Sequence, residues 1–78
     1  MATDRGCLLV KLHHSVVGLP DRLLVHPDGS VAFLEFKRPG QKPTKIQAYW
    51  HKRLRGMGQR VEVVYTAARF YRLLTTAT

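Results

Sequence analysis

Asp21, Glu35 and Lys37 are the residues whose types and spacing predict chemistry at one place in this chain. Only five of the 78 residues are acidic, so the placement of each carboxylate is informative. Two carboxylates brought close together repel strongly unless a cation lies between them. Oxygen ligands of this kind suit Mg²⁺ or Mn²⁺. Lys37 lies two residues after Glu35, which on a strand puts both side chains on the same face.

A metal held by two carboxylates beside a lysine has the components needed for phosphodiester hydrolysis. The metal would lower the pKa of its bound water and polarise a phosphoryl group. Lys37 would orient the nucleophile or stabilise the developing charge. Phe36, between Glu35 and Lys37, is predicted to turn its side chain into a core while its backbone carbonyl stays near the metal.

Each of these residues also has a purely structural interpretation. An Asp after a Pro, as in Pro20-Asp21, is a frequent turn residue. Glu35 and Lys37 can equally form a cross-strand ion-pair pattern on a solvated face. Gln47 lies three residues after Thr44, which is the spacing of a helix capping box. The two carboxylates, the turn between them and the basic surroundings together favour a site over these separate interpretations.

The spacing of Gly, Pro and apolar residues predicts the elements that would hold this site. Pro27, Asp28 and Gly29 predict a hairpin turn, which would bring Asp21 and Glu35 together. A helix should begin at Thr44 and connect the third strand to the fourth as a crossover, so those strands can lie parallel. The predicted class is α/β, a small mixed sheet of about four strands flanked by helices in the order β-β-β-α-β-α. Strands are predicted over 8–13, 22–26, 30–37 and 61–65, and a last helix over 67–74.

Length and charge limit the domain count and the class of partner. The chain, 1–78, can form one domain, because it is too short to divide into two hydrophobic cores. Thirteen Lys and Arg against five Asp and Glu leave a net charge of +8, which favours a polyanionic partner. Basic residues around the central helix are predicted to contact nucleic-acid phosphates, the alternative being a solvated face. They are Arg38, Lys42, Lys45, Lys52 and Arg55.

Three further residues are assigned to the core. Tyr49 and Trp50 can stack on bases, but their helical spacing favours a core position. Cys7 opens an apolar run and is predicted to be a small buried hydrophobic residue. As the only cysteine it forms no internal disulfide, which suits a reducing compartment. Without an apolar stretch of about 20 residues or a signal peptide, the expected location is the cytoplasm of a bacterium or a phage-infected host.

In its motifs the chain resembles the VRR-Nuc family, the virus-type replication-repair nucleases of the PD-(D/E)XK superfamily. The resemblance is carried by Gly18-Leu19-Pro20-Asp21, by Glu35-Phe36-Lys37 at the end of the next strand, and by Gln47 on the following helix. It runs from about Gly6 to Leu74. An Asp followed by Glu-x-Lys is a weak signal alone. The Gly-x-Pro-Asp form, the hairpin, Glu-Phe-Lys, the glutamine helix and the strand after it are together specific.

The resemblance implies a restriction-endonuclease-like core and a role for each matching residue. Asp21 and Glu35 would bind Mg²⁺ or Mn²⁺, with the Phe36 carbonyl as a further ligand. Lys37 would be the catalytic lysine, and Gln47 would lie at the edge of the site and hold a water or a ligand. Similarity to stand-alone phage members implies a metal-dependent endodeoxyribonuclease, acting as a homodimer on branched DNA such as four-way (Holliday) junctions.

One difference from the family's pattern concerns the N terminus. The family usually has an N-terminal helix bearing a Glu that contributes to the site, whereas here only residues 1–5 precede the first matching segment. Asp4 is the acidic residue of that stretch, which is too short for a full helix. The expectation is weaker metal binding or a site completed by a partner chain. The alternative function is a nucleic-acid-binding module with weak or no turnover.

Overall fold

The computed structural model describes residues 2–3, 5–13 and 16–75, and Asp4 lies outside them. Six elements follow the predicted β-β-β-α-β-α order, and their ends fall within two residues of the predicted ones. No helix of the described residues combines the length and apolar character needed to cross a membrane. The elements are β1 (Leu8–Lys11), β2 (Arg22–Val25), β3 (Val31–Phe36), α1 (Lys45–Gly56), β4 (Arg60–Val64) and α2 (Ala67–Thr75).

The sheet is mixed, as predicted, with the strands in the order β1-β2-β3-β4. β2 pairs antiparallel with β1 and with β3, and β4 pairs parallel with β3. A tight turn joins β2 to β3, where the His26 N–H donates to the Ser30 carbonyl at 2.8 Å and Gly29 has a φ of 92°. α1 supplies the crossover that a parallel pair requires.

The hydrophobic core lies between the sheet and α2. Thr66 directly precedes this helix, and its hydroxyl accepts the Arg69 N–H at 3.1 Å, as expected for an N-cap. Cys7 is buried, with its Sγ 3.5 Å from the Leu74 carbonyl oxygen, which confirms its prediction as a small core residue. The remaining buried residues of this core are Leu24, Ala32, Leu34, Val64, Leu73 and Leu74.

α1 covers the opposite face of the sheet. Because successive strand residues point to opposite faces, Glu35 faces α1 while its neighbour Leu34 faces the core under α2. The predicted capping box is present at the start of α1. The Thr44 hydroxyl accepts the Gln47 N–H at 3.2 Å, and the Gln47 side-chain oxygen accepts the Thr44 N–H at 2.9 Å. The first turn of α1 is therefore fixed beside the end of β3.

Candidate active site

The β2–β3 ladder places Asp21 and Glu35 opposite each other. The last registered pair of these strands is Arg22 with Leu34, so one further step along the ladder sets Asp21 against Glu35. Opposed residues of an antiparallel pair share a face, with Cβ atoms about 5 Å apart. The Leu12 N–H donates to the Asp21 carbonyl at 2.8 Å and continues the β1 pairing beyond β2. This hydrogen bond to β1 and the adjacent pairing of Arg22 with Leu34 together hold the backbone of Asp21 at the start of β2.

Glu35 is a buried carboxylate, with 6% of its surface exposed. Its Oε1 lies 3.6 Å from Nε2 of His51 on α1, a residue that is 3% exposed. Burial lowers the pKa of His51, and the positive charges of Arg55 and Lys37 lower it further. His51 is therefore neutral at pH 7 and offers Glu35 a polar contact rather than a compensating charge.

Asp21 has two oxygens in different surroundings. Oδ2 pairs with Nη1 of Arg22 at 3.0 Å. Oδ1 is buried and, within the part of the chain that the structure describes, accepts no hydrogen bond. A buried oxygen without a donor costs roughly 1–3 kcal/mol or more, and a bound cation would remove that cost. The donor set of two carboxylates on one face therefore fits a hard divalent ion.

The number of acidic ligands is small. Among residues 2–3, 5–13 and 16–75, no group of three or more His, Cys, Asp or Glu side chains is arranged to hold a metal ion. A cation at this face would thus take two carboxylates from the described residues. Backbone carbonyls, waters and phosphate oxygens commonly complete the coordination of Mg²⁺ at such sites.

Lys37 lies just beyond β3 on the Glu35 side of the sheet. Its N–H donates to the Val64 carbonyl at 3.0 Å, which extends the parallel ladder by one step and fixes the backbone at this point. Its positive charge acts on His51, where it lowers the imidazole pKa. The structure therefore brings Lys37, Glu35 and His51 into one electrostatic neighbourhood.

Phe36 turns its ring to the opposite face, but the prediction that the ring enters a core is wrong. Phe36 is 40% exposed. Its ring lies 5.8 Å from that of Phe70, with the Arg22 guanidinium 5.9 Å from its centroid. The physical reason is its position as the last residue of β3, where it borders an open cavity rather than a closed layer.

Gln47 lies on the face of α1 that carries His51 one turn later, because residues four apart on a helix are neighbours. Its side-chain oxygen is engaged in the capping box with Thr44. Any contact with a ligand would therefore fall to its amide nitrogen. His51 is a site residue that the sequence patterns do not single out. The available signal is its spacing of four residues from Gln47 on the crossover helix.

The basic residues predicted to contact nucleic acid are all exposed, and no acidic residue lies between Glu35 and Glu62 in the sequence. Arg55 differs from the others, because its Nη2 donates to the Val61 carbonyl at 2.8 Å and ties α1 to β4. The segment from the end of β3 to the end of α1 therefore presents positive charge alone. The exposed residues are Arg38, Lys42, Lys45, Lys52 and Arg55.

The aromatic residues of α1 only partly follow the prediction. Tyr49 is 48% exposed, so its assignment to the core is wrong, and Trp50 is half-buried. The helix turns His51 to the sheet, which places Tyr49 on the outer side. There Tyr49 packs edge-on against Trp50 with ring centroids 5.1 Å apart, and its hydroxyl accepts a bond from Nη1 of Arg53 at 3.0 Å.

Known proteins provide independent comparisons. No protein-family model matches the chain. A solved structure described as a VRR_NUC domain superposes with a TM-score of 0.81 and 32% identity, covering 94% of this chain and 81% of that chain. A curated relative, "Putative nuclease p44" of Acyrthosiphon pisum secondary endosymbiont phage 1, is 47% identical over 47 residues, or 60% of this chain. The match spans half the length of that relative.

Proposed function

Because the chain belongs to the VRR-Nuc domain family, we propose that it is a divalent-metal-dependent endonuclease that hydrolyses phosphodiester bonds in DNA. One observation carries the proposal: the β2–β3 register ends at the pair Arg22 and Leu34, and its extension by one residue supports a position for Asp21 opposite Glu35. The bond from the Lys37 N–H to the Val64 carbonyl continues β3 by one residue, which supports a position for Lys37 on the Glu35 side of the sheet. Similarity to a phage protein with a nuclease name adds support for this chemistry.

Asp21 and Glu35 would hold Mg²⁺ or Mn²⁺ through carboxylate oxygens, with the Phe36 carbonyl as a further ligand. When bound, the ion would supply a water of lowered pKa and a polarised phosphoryl group. Lys37 would orient the attacking water and stabilise the charge that develops on the phosphate oxygens. Gln47 would hold a water or a ligand at the edge of the site through its amide nitrogen.

The exposed basic residues around α1 would hold the DNA backbone, since Lys and Arg neutralise phosphates without reading base sequence. Because phosphate contacts do not read base sequence, we infer that the protein selects DNA by its shape and that branched DNA such as a four-way junction is the preferred substrate. A homodimer would relate two sites by a twofold axis, as paired cuts across a junction require. The free thiol of Cys7 suits the reducing cytoplasm of a bacterium or a phage-infected host.

The test is cleavage of end-labelled linear, flap and four-way DNA with Mg²⁺, with Mn²⁺ or with a chelator. Products are expected only with metal and mostly from the four-way substrate. Glu35→Ala should abolish cutting. Glu62→Ala is the matched control, because Glu62 pairs with Arg60 and Arg69 on the other sheet face. If Glu35→Ala cuts DNA as fast as Glu62→Ala, the assignment of Glu35 to the active site is wrong.

Gel filtration of the same protein tests the dimer separately. We expect the mass of two chains at the concentrations used for cleavage. A monomer that cuts four-way DNA in paired positions would contradict the homodimer while leaving the nuclease proposal intact.

A nucleic-acid-binding module without turnover is the second candidate. It is favoured by the contacts that both carboxylates already make, Asp21 with Arg22 at 3.0 Å and Glu35 with His51 at 3.6 Å. This candidate predicts salt-dependent DNA binding and no product with either metal at any protein concentration. Metal-dependent product that disappears in Glu35→Ala would exclude it.

A further inference from the structure

We propose that His51 is a positioning residue, which holds the Glu35 carboxylate for the divalent ion from the α1 side of the sheet. This inference deepens the proposed function and rests on it for the identity of the ion. The contact itself, between Nε2 of His51 and Oε1 of Glu35, is a feature of the structure.

The residue type at this position of α1 indicates a role beyond packing. His51 is the buried residue of α1. A helix that covers a sheet normally buries apolar side chains, and an imidazole buried without a hydrogen bond costs free energy. Nε2 of His51 is buried and makes no hydrogen bond within the described residues. A leucine would fill the same space without that cost, so packing alone does not account for His51.

The side chains of His51 and Glu35 lie close to hydrogen-bonding distance. Nε2 lies 3.6 Å from Oε1 of Glu35, which is just beyond the range of a hydrogen bond. A shift of about 0.7 Å would bring the pair to the usual separation of about 2.9 Å. A ring that donates to one carboxylate oxygen restricts the rotation of the carboxylate and so fixes the direction in which it would meet a cation. Such outer partners are the usual way in which metal-ligating carboxylates are oriented.

α1 is anchored on both sides of His51. One turn earlier, the capping box of Gln47 fixes the start of the helix. One turn later, the Nη2 of Arg55 donates to the Val61 carbonyl of β4 at 2.8 Å. Gln47, His51 and Arg55 lie at spacings of four and form one stripe on the helix. His51 is thus held at a fixed height above β3, as a positioning residue requires.

The test is the affinity of the DNA-free protein for Mn²⁺, measured by titration of the free-ion EPR signal. His51→Leu is expected to weaken Mn²⁺ binding by roughly 10–100-fold, the usual effect of losing an outer partner. His51→Gln, whose amide nitrogen can replace Nε2, is expected to stay within about threefold of the wild type. His51→Asn is too short to reach Glu35 and should resemble His51→Leu. If His51→Leu does not fold, the comparison of Gln with Asn decides the question.

His26→Leu is the matched control, because His26 is equally buried but its Nε2 contacts the Leu73 carbonyl at 2.7 Å, away from Glu35. It should lower the melting temperature and leave Mn²⁺ affinity unchanged. Equal Mn²⁺ affinity in the wild type, His51→Leu and His51→Asn would overturn the positioning role and leave the nuclease proposal standing. A wild-type protein that binds no Mn²⁺ would contradict the proposed metal dependence, and this inference with it.

Discussion

Replacement of Gly18 by alanine should destabilise the protein through both its backbone conformation and its contact with α1. Gly18 has a φ of 97°, and a Cβ at this position would lie 2.8 Å from Cγ1 of Ile46 and 3.0 Å from its backbone C and O. Positive φ costs an alanine about 1–2 kcal/mol, and overpacking adds about 1–3 kcal/mol. The expected loss of about 2–5 kcal/mol is a large fraction of a small domain's free energy of unfolding.

Gly29→Ala isolates the contact from the backbone cost. Gly29 has a similar φ of 92°, but a Cβ there would meet nothing within 4 Å. Urea unfolding of both variants should therefore show Gly18→Ala to be the less stable by about 1–3 kcal/mol, the overpacking contribution. Equal losses in the two variants would refute the claim that the loop before Asp21 is fixed by close contact with the first turn of α1.

Three further predictions concern the cap, the buried histidine and the basic surface. Thr44→Ala removes the hydroxyl that accepts the Gln47 N–H and should lower the free energy of unfolding by about 1 kcal/mol in urea; no change would show that the capping box contributes nothing. Burial lowers the pKa of His51, so as the pH falls the imidazole is protonated first in the unfolded state. The free energy of unfolding, measured with chelator present, should therefore decrease below pH 6.5 and level off below the pKa of His51 in the folded protein. That part of the pH dependence should vanish in His51→Gln, and its persistence would point to another group. Lys45→Ala should reduce the slope of log affinity for DNA against log salt by about 0.9, whereas Arg69→Ala, paired with Glu62, should not; equal slopes for the wild type and Lys45→Ala would remove Lys45 from the interface.

The element order can be predicted because its signals are local. Thr44 and Gln47 define a helix start through two hydrogen bonds between residues three apart. The turn at Asp28 and Gly29 requires only the conformational preferences of adjacent residues. The opposition of Asp21 and Glu35 follows from that turn, since a hairpin fixes the register of its strands.

The residues whose burial or contacts could not be predicted are those that depend on contacts between elements distant in sequence. Tyr49 is exposed because α1 is rotated so that His51 is buried against the sheet, which leaves Tyr49, at the far edge of the apolar face of the helix, in contact with solvent. Phe36 is partly exposed because α2 covers only one side of its ring, where Phe70 packs against it. That contact joins a strand to a helix far along the chain. The contact of His51 with Glu35 joins a helix to a strand, and no spacing rule within either element specifies it.

The most direct test of the proposed site is the single-turnover rate of four-way DNA cleavage by Lys37→Ala in Mn²⁺. We predict a loss of about 100-fold or more, the usual effect of removing one charge-stabilising group, with junction affinity within tenfold of the wild type. Lys11→Ala is the control, because Lys11 pairs with Arg22 and faces the other side of the sheet from Glu35. If Lys37→Ala cuts as fast as Lys11→Ala, the catalytic role of Lys37 is wrong. If the wild type still cuts in chelator, the metal dependence of cleavage is wrong.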